Sequence, residues 1–175
     1  MTAEFKHNHD MDIEELNFWK SIFRGILSDI DIGIYFLLRE NGRMTDTEIA
    51  KRLGVSATTI RRRRLALQEK GYLQILGILI LQELHMAYMD VLVKFNPNAS
   101  GDEIERFIND AKGDYRIFEI AEYAGRYDVL LRFFERDMHV LTRGIHEFMS
   151  KHPCVADYEL LPVTRSPKAF AKKLK

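Results

Sequence analysis

Hydrophobic positions change their period about halfway along the chain. Over residues 12–27, Ile13, Leu16, Trp19, Ile22, Phe23, Ile26 and Leu27 recur at steps of three and four, which predicts one amphipathic α-helix. Ile30, Ile34, Leu37 and Leu38 carry the rhythm along one face of a second helix, and Asn41-Gly42 predicts its end. Two shorter helices follow. Thr45 with Glu48 three residues on predicts a capping box, with Ile49, Ala50 and Leu53 as the inward stripe and Gly54 as the stop. Ser56 predicts the N-cap of the next helix, which runs to about Lys70 before Gly71 supplies a left-handed end. Residues 72–81 then turn apolar and β-like.

Beyond that point the pattern alternates. Val91, Val93 and Phe95 interleave with Asp90 and Lys94, as in a half-buried strand. Pro97-Asn98 turns the chain, and Ser100 with Glu103 caps a helix carrying Ile104, Phe107, Ile108 and Ala111. Residues 115–123 and 128–134 read as two strands joined by Ala124-Gly125-Arg126. A helix with Met138, Leu141, Ile145, Phe148 and Met149 precedes Pro153, and residues 155–163 make a last strand. The order βαββαβ predicts a ferredoxin-like antiparallel sheet with both helices on one face. The fold class is therefore α+β, a helical domain followed by a ferredoxin-like domain. The expected divisions are a helical arm over residues 1–28, a helical domain over 29–84, a ferredoxin-like domain over 85–165, and a basic tail over 166–175.

Composition narrows the class. Hydrophobic residues make 46% of the 175 and charged residues 30%, as in soluble globular proteins. Lys plus Arg equals Asp plus Glu at 26 each, so attraction to nucleic acid must come from local clustering. One cysteine forms no internal disulfide and no metal cluster, which fits a reducing cytoplasm. The polar opening, residues 1–10, resembles no secretory signal, and the apolar run 75–81 is too short to cross a bilayer. A cytoplasmic protein without membrane attachment is expected.

Clustering is what residues 43–64 provide. Arg43, Lys51, Arg52, Arg61, Arg62, Arg63 and Arg64 face only Asp46 and Glu48 as acids there. Helix, tight turn and helix is the geometry that lays a second helix in the major groove of duplex DNA. At about 100° per residue, Ala57, Ile60 and Leu67 share the inward side, with Thr58 and Arg62 opposite and Thr59, Leu65 and Ala66 nearby. Arginine bonds guanine edges bidentately, and threonine touches a thymine methyl or exchanges hydrogen bonds. Arg61 and Arg63 fall on the flanks, where phosphate contact positions without reading sequence. Thr58, Thr59, Arg61, Arg62, Arg63 and Arg43 are thus the candidate DNA contacts. Arg64 falls near the inward stripe, so its stem is expected to pack while its guanidinium reaches the edge. The alternative is a solvated basic face or a site for an acidic partner.

The run DIDIGIYFLLRENGRMTDTEIAKRLGVSATTIRRRRLALQEKGYL, residues 29–73, resembles the opening domain of the Lrp/AsnC, or feast/famine, regulators. AGRYDVLLRF, residues 124–133, is similar to the family's G-x-x-D loop between its two central strands. The resemblance spans residues 29–167. It implies a winged helix-turn-helix reader and a ligand-responsive domain that pairs into homodimers, which often assemble into octamers or other higher forms. It also implies an amino acid or related effector near that loop, pointing to Gly125 and Asp128 with Tyr123, Arg126 and Tyr127 as neighbours. Where the family's last strand usually carries threonines, this chain has Val155, Ala156, Asp157, Tyr158, Glu159 and Leu160. Tyr158 and Leu160 are expected to fill volume that threonines leave open.

Other chemistry is weakly represented. His7, His9 and Asp10 form a conceivable metal grip in the N-terminal tail, and His139 and His146 are too far apart along one helix for a single ion. No metal site, cofactor or catalytic residue is assigned. A glycine between strands is commonly just a hairpin turn, the competing reading for Gly125. An enzyme alternative exists, since sirohaem decarboxylases resemble the same family, but the strand Glu119-Ile120-Ala121-Glu122-Tyr123 supplies no histidine. The helix at 12–27 exposes too much apolar surface to stand in water, and its acidic start favours dimer packing over membrane attachment.

Overall fold

The computed structural model describes residues 13–169 and 172–173, so His7, His9 and Asp10 lie outside the described residues. The chain divides into two compact units, 1–78 and 79–175. In the first, four helices run α1 (Ile13–Ile22), α2 (Asp29–Glu40), α3 (Asp46–Leu53) and α4 (Ala57–Glu69). Side-chain caps start three of them. Ser28 and Asp31 form a capping box at α2, Thr45 and Glu48 another at α3, and the Ser56 hydroxyl accepts the Thr59 amide at α4. Each cap satisfies an amide that the first turn leaves without an intrahelical partner.

The core of this unit joins Ile34, Leu37 and Leu38 of α2 to Ile49 and Leu53 of α3 and to Ile60 and Leu67 of α4. Gly33 permits the approach of α2 to α3, since a Cβ there would stand 2.9 Å from Leu53 Cδ2. The first helix is shorter than residues 12–27 predicted. It stops at Ile22, and the chain turns through Gly25 at φ 83°, a left-handed conformation that favours glycine. Moreover α2 is buried on two faces, not one. Ile32 and Phe36 pack against Leu16 of α1, with Trp19 and Phe23 alongside. Trp19 lies 5.5 Å from Phe23, 5.1 Å from Tyr35 and 5.8 Å from Phe36, centroid to centroid. Arg39 completes the seam, donating to both carboxylate oxygens of Glu15 and standing 4.5 Å over the Phe36 ring.

Residues 73–80 form no strand, although their composition is β-like. A strand needs a partner for its amides and carbonyls, and none pairs with this segment among the described residues. Ile75, Leu76, Ile78 and Leu79 stay exposed.

The second unit contains β1 (Ala87–Phe95), α5 (Gly101–Gly113), β2 (Ile117–Glu122), β3 (Val129–Glu135), α6 (Met138–Ser150) and β4 (Val155–Pro162). The strands form one antiparallel sheet in the order β2-β3-β1-β4. This is the ferredoxin-like arrangement. Met89, Val91, Val93, Leu131 and Phe133 point from the sheet onto Phe107, Ala111, Leu141, Ile145 and Phe148 of the helices. On the opposite face, Arg132 of β3 pairs with Asp90 of β1 and Glu119 of β2. Two short strands, β5 (Lys168–Ala169) and β6 (Lys172–Lys173), pair within the stretch read as a basic tail.

Phe36 is 2% exposed and joins α1 to the rest of the reader unit. Phe36→Ala is expected to cost about 3–5 kcal/mol of that unit's stability. Urea unfolding followed by Trp19 emission measures it, because Trp19 is the single tryptophan.

Candidate nucleic-acid interface

Residue by residue, α4 presents three environments. Ile60 and Leu67 are buried, at 0% and 7% exposure. Thr58, Arg61, Arg62, Leu65 and Ala66 are exposed, together with Arg43 in the turn before α3 and Lys51 and Arg52 on α3. Between these faces lie Arg63 and Arg64, and both are occupied. Arg64 Nε and Nη2 donate to the two Asp46 oxygens at 2.7 and 2.9 Å, and its Nη1 donates to Gln68 at 2.9 Å. Arg63 Nη1 reaches back to the start of α2, donating to the Ser28 hydroxyl at 2.8 Å and to both Asp31 oxygens at 3.2 Å.

Two sequence expectations change. Arg63, expected on the flank for phosphate, is half-buried and tied to α2, which approaches closely enough to offer a carboxylate. Thr59 was placed near the outward face, yet it is partly covered and its hydroxyl lies 2.8 Å from that of Ser56, inside the cap. Arg64 behaves as its position on the inward stripe requires. The partners Ser28, Asp31 and Asp46 were not anticipated, although Ser28 and Asp31 stand at capping-box spacing, a signal readable in the sequence.

The ties set local electrostatics. At Asp46, the Arg64 guanidinium holds the carboxyl below the usual carboxylate range against a smaller opposing effect of burial. At Asp31, burial pushes upward, but the hydroxyl and amide of Ser28 and the Arg63 guanidinium outweigh it, leaving the carboxyl lowered. The same interactions oppose rotation of α4 about its axis, so the outward set is fixed.

The loop between β2 and β3 is built around Asp128. Its carboxylate accepts the Phe95 amide at 2.8 Å and Lys94 Nζ at 3.0 Å, where the register of β1 against β4 shifts between Lys94 and Phe95. Its backbone donates to the Val93 carbonyl at 2.9 Å and accepts the Tyr123 amide at 2.7 Å. The Phe95 amide is the chief reason the Asp128 carboxyl lies below its usual range. Asp128, expected beside an effector, is thus committed to fastening the sheet, a use of the carboxylate that sequence alone did not reveal. Tyr127 donates to Glu159 Oε2 at 2.7 Å, and the Arg126 guanidinium stands 5.3 Å over the Tyr127 ring. Tyr123, Gly125 and Arg126 are exposed. Gly125 does not adopt a positive φ, and a Cβ there would meet nothing within 4 Å. Tyr158 packs partly buried against the sheet core, with its hydroxyl 2.5 Å from His146 Nδ1. Among the described residues no group of three metal-ligating side chains assembles.

A helix-turn-helix with an outward basic face suits duplex DNA, and known proteins similar to this chain are DNA-binding regulators. Residues 27–74 match the winged helix-turn-helix DNA-binding family. An uncharacterised HTH-type transcriptional regulator of Pyrococcus horikoshii is 38% identical over 144 residues, covering 82% of this chain and 91% of the relative. The transcriptional regulator of Neisseria meningitidis solved with L-Met superposes at TM-score 0.73, with 24% identity over 82% of this chain and 93% of that one. Escherichia coli AsnC superposes at 0.71, with 19% identity over 82% and 96%. The chain belongs to the Lrp/AsnC family of transcription regulators. It is a DNA-binding regulator and not an enzyme, so the decarboxylase alternative is set aside.

The lowered carboxyls give a pH signature. Asp31 and Asp46 titrate lower in the folded chain than unfolded, so their contribution is complete above the unfolded value, about 3.9, and vanishes as pH falls through the folded values. Urea stability is expected to hold from about pH 7 to 5 and to fall below about pH 4, with Asp46→Asn flattening part of that fall.

Proposed function

We propose that this regulator binds duplex DNA sequence-specifically as a homodimer or higher oligomer, in the cytoplasm. The observation that carries the reading is the outward strip Thr58, Arg61, Arg62 and Leu65 on a helix whose rotation is fixed from behind. In it Arg62 and Thr58 meet base edges, while Arg61 and Arg43 meet phosphate. Arg63 acts by holding the helix in place, and Thr59 by shaping its start. A two-fold dimer presents two such helices about one DNA turn apart, so protection of a roughly palindromic site is expected. Failure to bind any duplex more tightly than bulk competitor at physiological salt overturns the reading. Arg62→Ala is expected to cost about 1–3 kcal/mol on the preferred site and to relax preference at one position. Uniform weakening across all sequences reassigns Arg62 to phosphate.

We infer further that an amino acid or similar small molecule modulates this binding from the surface formed by Tyr123, Gly125, Arg126 and Tyr127, with Asp128 as the fastening beneath it. Support comes from Gly125, whose lack of a side chain serves no packing need within the chain, and from the L-Met complex of the Neisseria meningitidis neighbour. Gly125→Ala is expected to leave thermal stability unchanged and to abolish any shift that L-Met or another amino acid produces in DNA affinity. A panel of amino acids that shifts neither affinity nor assembly in the unaltered chain overturns the effector assignment.

A further inference from the structure

The reader unit contains a cavity that neither the interface nor the effector loop uses. It lies between α1, α2 and the residues that end α4, with a volume of about 310 Å³. Trp19, Phe23, Tyr35, Leu67 and Leu73 contribute to its wall, and among the described residues Asp31 is the one charged residue that lines it. A dry cavity of about 150 Å³ accepts benzene, so this space takes a ring with a short chain attached. Aromatic faces and a carboxylate in one wall favour a cation joined to an apolar body.

Asp31 is also where the cavity meets the recognition helix, and its hold on Arg63 is the weaker of the two ties. The contacts from Arg63 Nη1 to Asp31 are 3.2 Å, against 2.7 and 2.9 Å for the bidentate Arg64–Asp46 pair. Arg63 Nε is buried without a hydrogen-bond partner among the described residues. An unsatisfied buried donor costs free energy, which lowers the cost of moving this guanidinium.

We propose that the cavity binds a small aromatic amine, its ring against Trp19 and its ammonium on Asp31, and that this ammonium displaces Arg63 to add a phosphate contact while the bidentate Arg64–Asp46 pair keeps α4 in place. Linkage makes the effect reciprocal: the amine tightens DNA binding, and DNA tightens amine binding. The coupling rests on the proposed DNA interface, whereas occupancy of the cavity does not.

The test uses the full chain and the emission of Trp19. Titration with 2-phenylethylamine near neutral pH is expected to give a saturable change, at least about tenfold tighter than with the uncharged analogue 2-phenylethanol, since one charge-assisted contact of about 1.4 kcal/mol is tenfold. Asp31→Asn is expected to erase that preference while keeping the weaker binding of the alcohol. Because Asp31 also caps α2, Ile26→Arg at an exposed position of the cavity lining provides a second variant, expected to repel the amine without loss of fold. No saturable change, equal affinity for amine and alcohol, or a change in emission that follows protein concentration alone overturns the cavity assignment; the last would mean that a second copy covers it. With preferred duplex present, the amine is expected to raise affinity and to steepen the dependence on salt by about one contact. Amine binding with unaltered DNA affinity overturns the displacement of Arg63. A chain that binds no duplex overturns the interface, and the emission titration still decides the cavity.

Discussion

Four consecutive arginines in an α-helix sweep through about 300° of its circumference, so they cannot all face one ligand. Arg61 and Arg62 reach solvent, while Arg63 and Arg64 must turn toward the body of the unit. A guanidinium moved out of water needs a charged partner and filled hydrogen bonds. The first turns of α2 and α3 supply both, through Asp31 and Asp46. Those carboxylates also stand where the positive ends of two helix dipoles favour negative charge. The same acids therefore stand in the first turns of two supporting helices and tie the third helix to both. Turning α4 by one residue would carry Ile60 out of the core and break both ion pairs, so the identity of the outward residues is decided from the inside.

That inner arrangement was only half legible in the sequence. Caps were readable because their partners lie three residues apart: Thr45 with Glu48 and Ser100 with Glu103 formed as their spacing predicted. Arg64 was readable as an inward residue, since it shares the stripe of Ile60 and Leu67. Arg63 was not. Its projection angle leaves it on the flank, and its partner Asp31 lies 32 residues earlier on a helix whose approach no periodicity encodes. Helix α2 shows the same limit. A one-stripe reading captured Ile30, Ile34, Leu37 and Leu38 but passed over Ile32 and Phe36, whose burial depends on a different helix covering the second face.

In the sheet unit, alternation located the strands well because each has one face on the helices and one away from them. Before that unit, in the apolar stretch 73–80, composition favours a strand, but ladder formation needs a second segment. The β2–β3 loop illustrates a different loss of information. Gly125 and Asp128 look equivalent as loop residues, yet Asp128 caps the irregular end of β1 through the Phe95 amide while a side chain at Gly125 would meet nothing within 4 Å. Spacing alone does not separate a residue that holds a loop from one that leaves room beside it. The carboxylate belongs to the fold, and the vacancy at Gly125 is the part with no structural use inside the chain.

The extension before α2 shows how an addition at one end acts on a site elsewhere. Without α1, Ile32 and Phe36 would face water, and α2 would be an ordinary amphipathic helix. With it, Trp19 and Phe23 cover that face, Arg39 bridges to Glu15, and the two buried sides of α2 become mechanically linked. The added layer does not fill the unit completely, and the space left beside Trp19 is bounded by Asp31. One carboxylate thus borders both the packing of the extension and the tie that orients α4. A change in the surroundings of Asp31 therefore bears on Arg63, the residue of α4 bonded to it.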